Sequence, residues 1–212
     1  MGRLLVLMGP LALLALAANS PAGQIPWEVP VASSTAYGFD PVNLVNGLGL
    51  QGDPPNLHDN VASHAWLAEA SKIPVTVTFT FPFDGVYRVT EFRVWNYSAN
   101  TAYGTKKLVV LTASGGDYQT LLTIEPLTQP HGAPDLTSAD VFTVDAVARS
   151  VRFSLESNFT PSQTSYIGLS EVQFFGSPVP EPSTLVGLLG AGLAGVALAW
   201  RRMRRRANGT PL

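Results

Sequence analysis

Few residues in this chain have the type and spacing to do covalent chemistry. Cysteine is absent, which removes thiolate nucleophiles, disulfides and Cys-based zinc sites. His58 and His64 share one polar stretch while His131 is remote, so a zinc site has little support. Ser33, Ser114 and Ser170 have no Gly-x-Ser-x-Gly elbow around them. The carboxylates are scattered, without the local pairing that two-carboxylate hydrolysis needs, and no enzyme is expected. What the sequence does concentrate is recognition chemistry. Tyr37, His58, His64, Trp95, Tyr97, Tyr103 and His131 fall in turn-rich stretches, and Trp95-Asn96-Tyr97-Ser98-Ala99-Asn100-Thr101 sets two rings among amides and hydroxyls. Flat apolar faces beside planar polar groups suit sugar rings, which makes Trp95, Tyr97, Tyr103 and His64 the candidate ligand contacts. Trp95 has a second reading, as a cap on a hydrophobic core.

A different chemistry lies near the C-terminus, in Val179-Pro180-Glu181-Pro182-Ser183. Pro180 and Pro182 remove two backbone donors and push their preceding residues out of the α region, so this segment stays extended. An extended, unpaired peptide is what a protease-like site takes in, and Glu181 is its single carboxylate handle. Leu185 to Trp200 follows without a charge or a polar face. As a helix it spans ~24 Å, short for a bilayer, with Arg201, Arg202, Arg204, Arg205 and Arg206 snorkelling out and holding that end in the cytoplasm. The Pro-Glu-Pro motif, the short Gly/Ala/Leu helix and the Arg cluster resemble the PEP-CTERM sorting signal of Gram-negative bacteria. That resemblance implies that an exosortase, a membrane-embedded cysteine transpeptidase, processes the chain near the motif. The expected tail is therefore 178–206, with motif 179–183, transmembrane helix 185–200 and Arg cluster 201–206, followed by a disordered 207–212.

The other end is directed to the membrane as well. Met1-Gly2-Arg3 supplies a positive charge, Leu4 to Ala18 is apolar, and small residues follow, so 1–22 reads as a removed signal peptide, with an uncleaved anchor as the alternative. Between these segments lie about 155 residues, enough for one domain with its own core. Residues 25–178 hold fourteen acidic and seven basic side chains, leaving the exported domain near −7 and without a basic stripe for nucleic acid.

That domain, 23–177, reads as all-β. Val75-Thr76-Val77-Thr78-Phe79-Thr80-Phe81 alternates apolar and hydroxyl residues, the period of a half-buried strand. Val86 to Tyr97 is a second strand, with Phe92 and Val94 on one face and Glu91, Arg93 and Trp95 on the other. Lys107–Thr112, Tyr118–Ile124, Val141–Val144, Ala148–Leu155 and Ile167–Phe175 complete the set. Short strands punctuated by Gly, Pro and Asn predict a β-sandwich or jelly roll.

The order Ala32-Ser33-Ser34, Asn43-Leu44-Val45-Asn46-Gly47, Ser63-His64-Ala65-Trp66 and Ile167 through Gly176 resembles the discoidin, or coagulation-factor type C, family of galactose-binding-like jelly rolls. The resemblance implies a loop end that binds glycans, or sometimes lipids and proteins, and a structural calcium. Carried over, the calcium ligands are Asn46, Asp59, Ser63 and Glu171. Asn46 stands where an Asp is usual, which removes a charge. Asp53, Asp59 and Asn60 also read simply as turn formers. Two functions are open: a carbohydrate-binding module on extracellular polysaccharide, or a structural envelope protein that packs through a broad apolar sheet face. They differ in what surface the fold must expose.

Overall fold

The computed structural model describes residues 22–52, 56–82, 85–132, 134–160, 166–180, 195 and 198–201. The expected signal peptide up to residue 21, motif residues Glu181, Pro182 and Ser183, most of the expected transmembrane helix, the Arg cluster beyond Arg201 and the 207–212 tail lie outside the described residues. Of that C-terminal stretch Gly195 and Leu198–Arg201 are described and are helical. Among the described residues no helix is long and apolar enough to cross a membrane.

Pro21–Val179 form a compact unit of two packed sheets. The first sheet orders β1 (Gly23–Gln24), β13 (Tyr166–Pro178), β7 (Tyr87–Asn96) and β11 (Asp140–Ala148), with β5 (Trp66–Glu69) also on β13. The second orders β2 (Val31–Ala32), β6 (Val75–Thr80), β12 (Ser150–Asn158), β8 (Thr105–Ala113) and β9 (Gln119–Ile124). All the strand pairings within these sheets are antiparallel. The alternation read from Val75 onward holds: β6 buries Val75, Val77 and Phe79 and turns its threonines outward. Those side chains meet Phe92, Val172 and Phe174 from the facing sheet and Phe153 from neighbouring β12 in one core, where Phe79 packs edge-on to Phe153 at 5.2 Å. Burial of this apolar surface is the main stabilising term.

A third, small sheet was not anticipated. β3 (Leu50–Gln51), β4 (Leu57–His58) and β10 (Thr137–Ser138) pair in the order β10-β4-β3. Its strands are two residues long, too short to show any period. The neighbouring 46–60 segment meets the outward face of the first sheet: the Trp95 indole N–H donates to the Asn56 carbonyl at 3.0 Å, and the Gly47 N–H donates to Glu171 at 3.3 Å. Glu171 and Trp95 are register partners on β13 and β7, so both sit under this cover.

Chain direction sorts the loops. The described residues of the stretches 33–65, 70–74, 97–104, 125–139 and 159–160 lie at one end of the sandwich, next to the strand ends they follow or precede. Gly23 and Pro178, where the domain chain enters and leaves, pair near Gly176 and Tyr87 at the other end.

Candidate functional site

The loop-rich end holds the candidate residues taken from the sequence within the domain, but it sorts them into four groups. Trp95 and Tyr97 are 0% and 3% exposed, so neither presents a ring face to a ligand; this corrects their reading as contacts. Two faces of β7 are covered at this end, one by the core and one by the 46–60 segment, and its last three residues are all buried. Trp95 is a support rather than a binding surface. Tyr97 joins Ala36, Ala65 and Leu67 in a small satellite cluster, with Phe39 and Tyr103 packed against it. Burial pushes its phenol pKa up, with a smaller contribution from Tyr103.

The amides of the 95–101 run are likewise structural in part. Asn96 is buried and donates to the carbonyls of Thr105 and Thr128 at 2.8 and 2.9 Å, while its own carbonyl accepts from the Thr105 and Tyr97 N–H groups. It pins β8 and the 125–139 segment to the end of β7. Asn43 does the same for another pair, donating to the carbonyls of Ser63 and Ala65, both at 3.0 Å. A buried amide with all its groups satisfied fixes loops that have little apolar surface to pack.

The second group is a knot around Asp59. One carboxylate oxygen bonds His64 Nδ1 at 2.9 Å and the other accepts the Val61 N–H at 3.1 Å. Its backbone carbonyl receives both His58 Nδ1 at 2.8 Å and the Ser98 hydroxyl at 3.2 Å. His58 is fully buried, its Nε2 has no hydrogen-bond partner, and desolvation lowers its pKa against smaller opposing effects of Asp59 and the Leu48 backbone. Gly49 has φ +90° and closes this knot from above. A Cβ there would lie 2.7 Å from Asp59 Oδ1 and from His58 Cε1. Gly49→Ala is therefore expected to cost roughly 1–3 kcal/mol in denaturant unfolding, from positive φ and collision together. Gly38→Ala, at φ +85° but in open space, should cost distinctly less.

Glu171 forms the third group with the Asn46–Gly47 turn. It is 1% exposed, its oxygen accepts one N–H, and desolvation pushes its pKa up to about 8. That is a carboxylate with too few partners for its charge. Asn46 is exposed and its side-chain oxygen accepts the Leu48 N–H at 2.8 Å. Of the calcium ligands that the resemblance implies, Glu171 and Asn46 therefore lie at the same turn. Asp59 and Ser63 are tied elsewhere: the former to His64, the latter through its carbonyl to Asn43. Among the described residues no three His, Cys, Asp or Glu converge on one point.

The exposed rings lie elsewhere at the same end. Tyr37 is fully exposed at 103%, at the tip of the Thr35–Pro41 loop, which lines an open depression of about 540 Å³. Tyr103 packs edge-on to Tyr166 at 5.4 Å, and Tyr166 is 38% exposed. Tyr166 carried no sequence signal beyond a tyrosine opening the closing strand. The sheet faces mix charge with apolar residues: Val141 and Val147 on β11 are 51% and 49% exposed, and Val31 on β2 is 71% exposed. The first sheet carries Arg88–Asp145 at 2.7 Å and Arg93–Glu91 at 2.8 Å, and the second places Arg152 over the Tyr118 ring at 3.8 Å.

Comparisons with known proteins agree with both halves of this description. Residues 178–206 match the PEP-CTERM protein-sorting motif. No curated protein matches the chain in sequence. Among solved structures, the family 32 carbohydrate-binding module of Clostridium perfringens NanJ, solved with galactose, is similar at TM-score 0.54 and 10% identity. The similarity covers 73% of this chain and 98% of that one. A further Clostridium perfringens module of the same family, solved with GalNAc-β-1,3-galactose, matches at TM-score 0.54 and 12% identity over 72% of this chain and 99% of its own. The family 32 module of AlyQ, solved with 4,5-unsaturated mannuronic acid, matches at TM-score 0.52 and 16% identity over 72% and 98%. The chain thus joins a PEP-CTERM sorting motif to a domain with the discoidin-like jelly-roll fold of family 32 carbohydrate-binding modules.

Proposed function

We propose that this is an exported surface protein whose non-catalytic jelly roll binds extracellular polysaccharide through the loop end, and whose tail is processed by an exosortase. The observation that carries the reading is the disposition of the domain. Its exposed tyrosines gather at the end opposite the point where Pro178 leads to the sorting motif. The similar modules were solved with sugars, which favours a sugar-binding use of this domain. In this account the 185–200 helix holds the chain in the inner membrane until processing near Pro180-Glu181-Pro182 releases it to the surface or matrix. Calcium, when bound, is held by Glu171 and the Asn46–Gly47 turn, and its role is to fix loops rather than to touch sugar.

The test is a pull-down on extracellular polysaccharide from the producing bacterium, run in calcium and in chelator. Saturable binding supports the reading, and weakening by chelator supports the calcium part. No binding by a folded protein in either buffer favours an envelope role without sugar. Tyr37→Ala is expected to weaken binding about tenfold while leaving the unfolding midpoint unchanged, because stacking on a sugar face is lost from a ring that supports nothing. An equal loss of stability and binding contradicts the assignment.

A further inference from the structure

Resting on the carbohydrate reading above, we infer that the loop end binds a run of several linked sugars rather than one terminal sugar, across two separate tyrosine platforms. Tyr37, on the Thr35–Pro41 loop, is the first. Tyr103 and Tyr166, edge-on to each other at 5.4 Å, are the second. Both stand on one small apolar base: Ala36 and Leu67 are buried in the satellite cluster with Tyr97, and Tyr103 packs against it.

Strand register sets how far apart the platforms lie. The Ala36 N–H donates to the Leu67 carbonyl at 2.9 Å, so the chain beside Tyr37 runs along one edge of β5. β13 takes the other edge, with Gly168 opposite Leu67 and Tyr166 opposite Glu69. Two strand spacings across and two residues along place the Ala36 and Tyr166 backbones ~12 Å apart. That is wider than one pyranose ring. The platforms also share a side of the sheet. Trp66, Ala68, Ile167 and Leu169 enter the main core, so Leu67, Glu69 and Tyr166, which alternate with them, turn to the opposite side, where the satellite cluster lies. Glu69, exposed beside Tyr166, adds a carboxylate that accepts sugar hydroxyls.

The second platform is fixed before a ligand arrives. Asn158, 3% exposed, donates to the Tyr166 carbonyl at 2.7 Å, and the Thr160 hydroxyl donates to the Ala102 carbonyl at 2.9 Å. The buried Thr105 hydroxyl donates to the Gly168 carbonyl at 2.9 Å. These bonds tie the end of β12, the 101–103 turn and the start of β8 to β13 around the ring pair. Rings held in this way lose little freedom on binding, and two holds on one sugar chain reinforce each other. A single sugar engages only one of them.

The test titrates the full chain in mild detergent with the fragment ladder from partial acid hydrolysis of the producing bacterium's extracellular polysaccharide, from single sugars to about six residues. Affinity is expected to climb with length, the longest fragments binding about a hundredfold more tightly than single sugars. Affinity that is flat from the single sugar upward overturns the inference and leaves the carbohydrate reading standing. A folded chain that binds neither fragments nor intact polysaccharide overturns both. Tyr166→Leu, which keeps apolar bulk without a ring, is expected to lose about tenfold on the longest fragments, whereas Tyr166→Phe keeps their affinity. Full length dependence in a folded Tyr166→Leu variant contradicts the two-platform arrangement, and the length series itself needs no variant.

Discussion

Replacing Glu171 with glutamine is expected to abolish a pH dependence of stability that the unsubstituted domain shows in chelator. Folded Glu171 keeps its proton up to about 8, against an ordinary value of 4.5 in the unfolded chain. Below 4.5 both states are protonated and the full stability is present. As pH rises from there towards 8 the unfolded state releases a proton that the folded state retains. Stability then falls by up to about 1.4 kcal/mol per pH unit, and levels off once the folded state also ionises. Glu171→Gln has no proton to release, so its curve lacks this slope and the variant is the more stable of the two at pH 9. His58, whose pKa burial holds below 6.5, adds an opposite slope on the acid side in both proteins, so the difference between the curves isolates Glu171. Calcium should raise the melting temperature of the unsubstituted protein, more at pH 8 than at pH 6, and leave the variant unmoved. Two superimposable curves from pH 5 to 9 contradict the buried, under-partnered carboxylate.

The second large effect is expected at Trp95. Its ring is fully buried between β7 and the 46–60 segment, and its N–H holds the Asn56 carbonyl. Trp95→Ala removes that contact and leaves a void, at a cost of about 3–5 kcal/mol in denaturant unfolding. Domains of this kind have total stabilities of about 5–15 kcal/mol, so the variant is close to unfolding at the low end. A ring that met ligand directly would behave in the opposite way, losing binding with stability intact. Measuring both quantities on Trp95→Ala and Tyr37→Ala separates support from contact.

The contrast between those two rings shows what the sequence made legible. Period-two alternation gave the strands of the sandwich and the facing of β7, with Phe92 and Val94 inward and Glu91, Arg93 and Trp95 outward. Outward normally means wet. Near the loop end it does not, because the 46–60 segment folds back over the outer face of the first sheet, and nothing in the local pattern of β7 encodes that cover. The same long-range event explains why Glu171, readable as an acidic residue on the closing strand, proves to be buried against Gly47. Asn96 differs in another way: among the rings and amides of 95–101 it reads as recognition chemistry, whereas its amide is consumed by the Thr105 and Thr128 carbonyls. The sorting motif was legible in full because its information is local: two prolines, an apolar run and a charge cluster in order.

The most direct test of the central claim is amide-resolved NMR of Pro21–Val179, a compact unit with its own core, titrated with the saccharide that the polysaccharide binding identifies. The account predicts shift changes confined to the loop end, at Tyr37 and its neighbours, Tyr103 and Tyr166, with the opposite end around Tyr87 and Ala148 silent. Changes centred on a sheet face, around Arg152 and Tyr118, or at the Tyr87 end would contradict it.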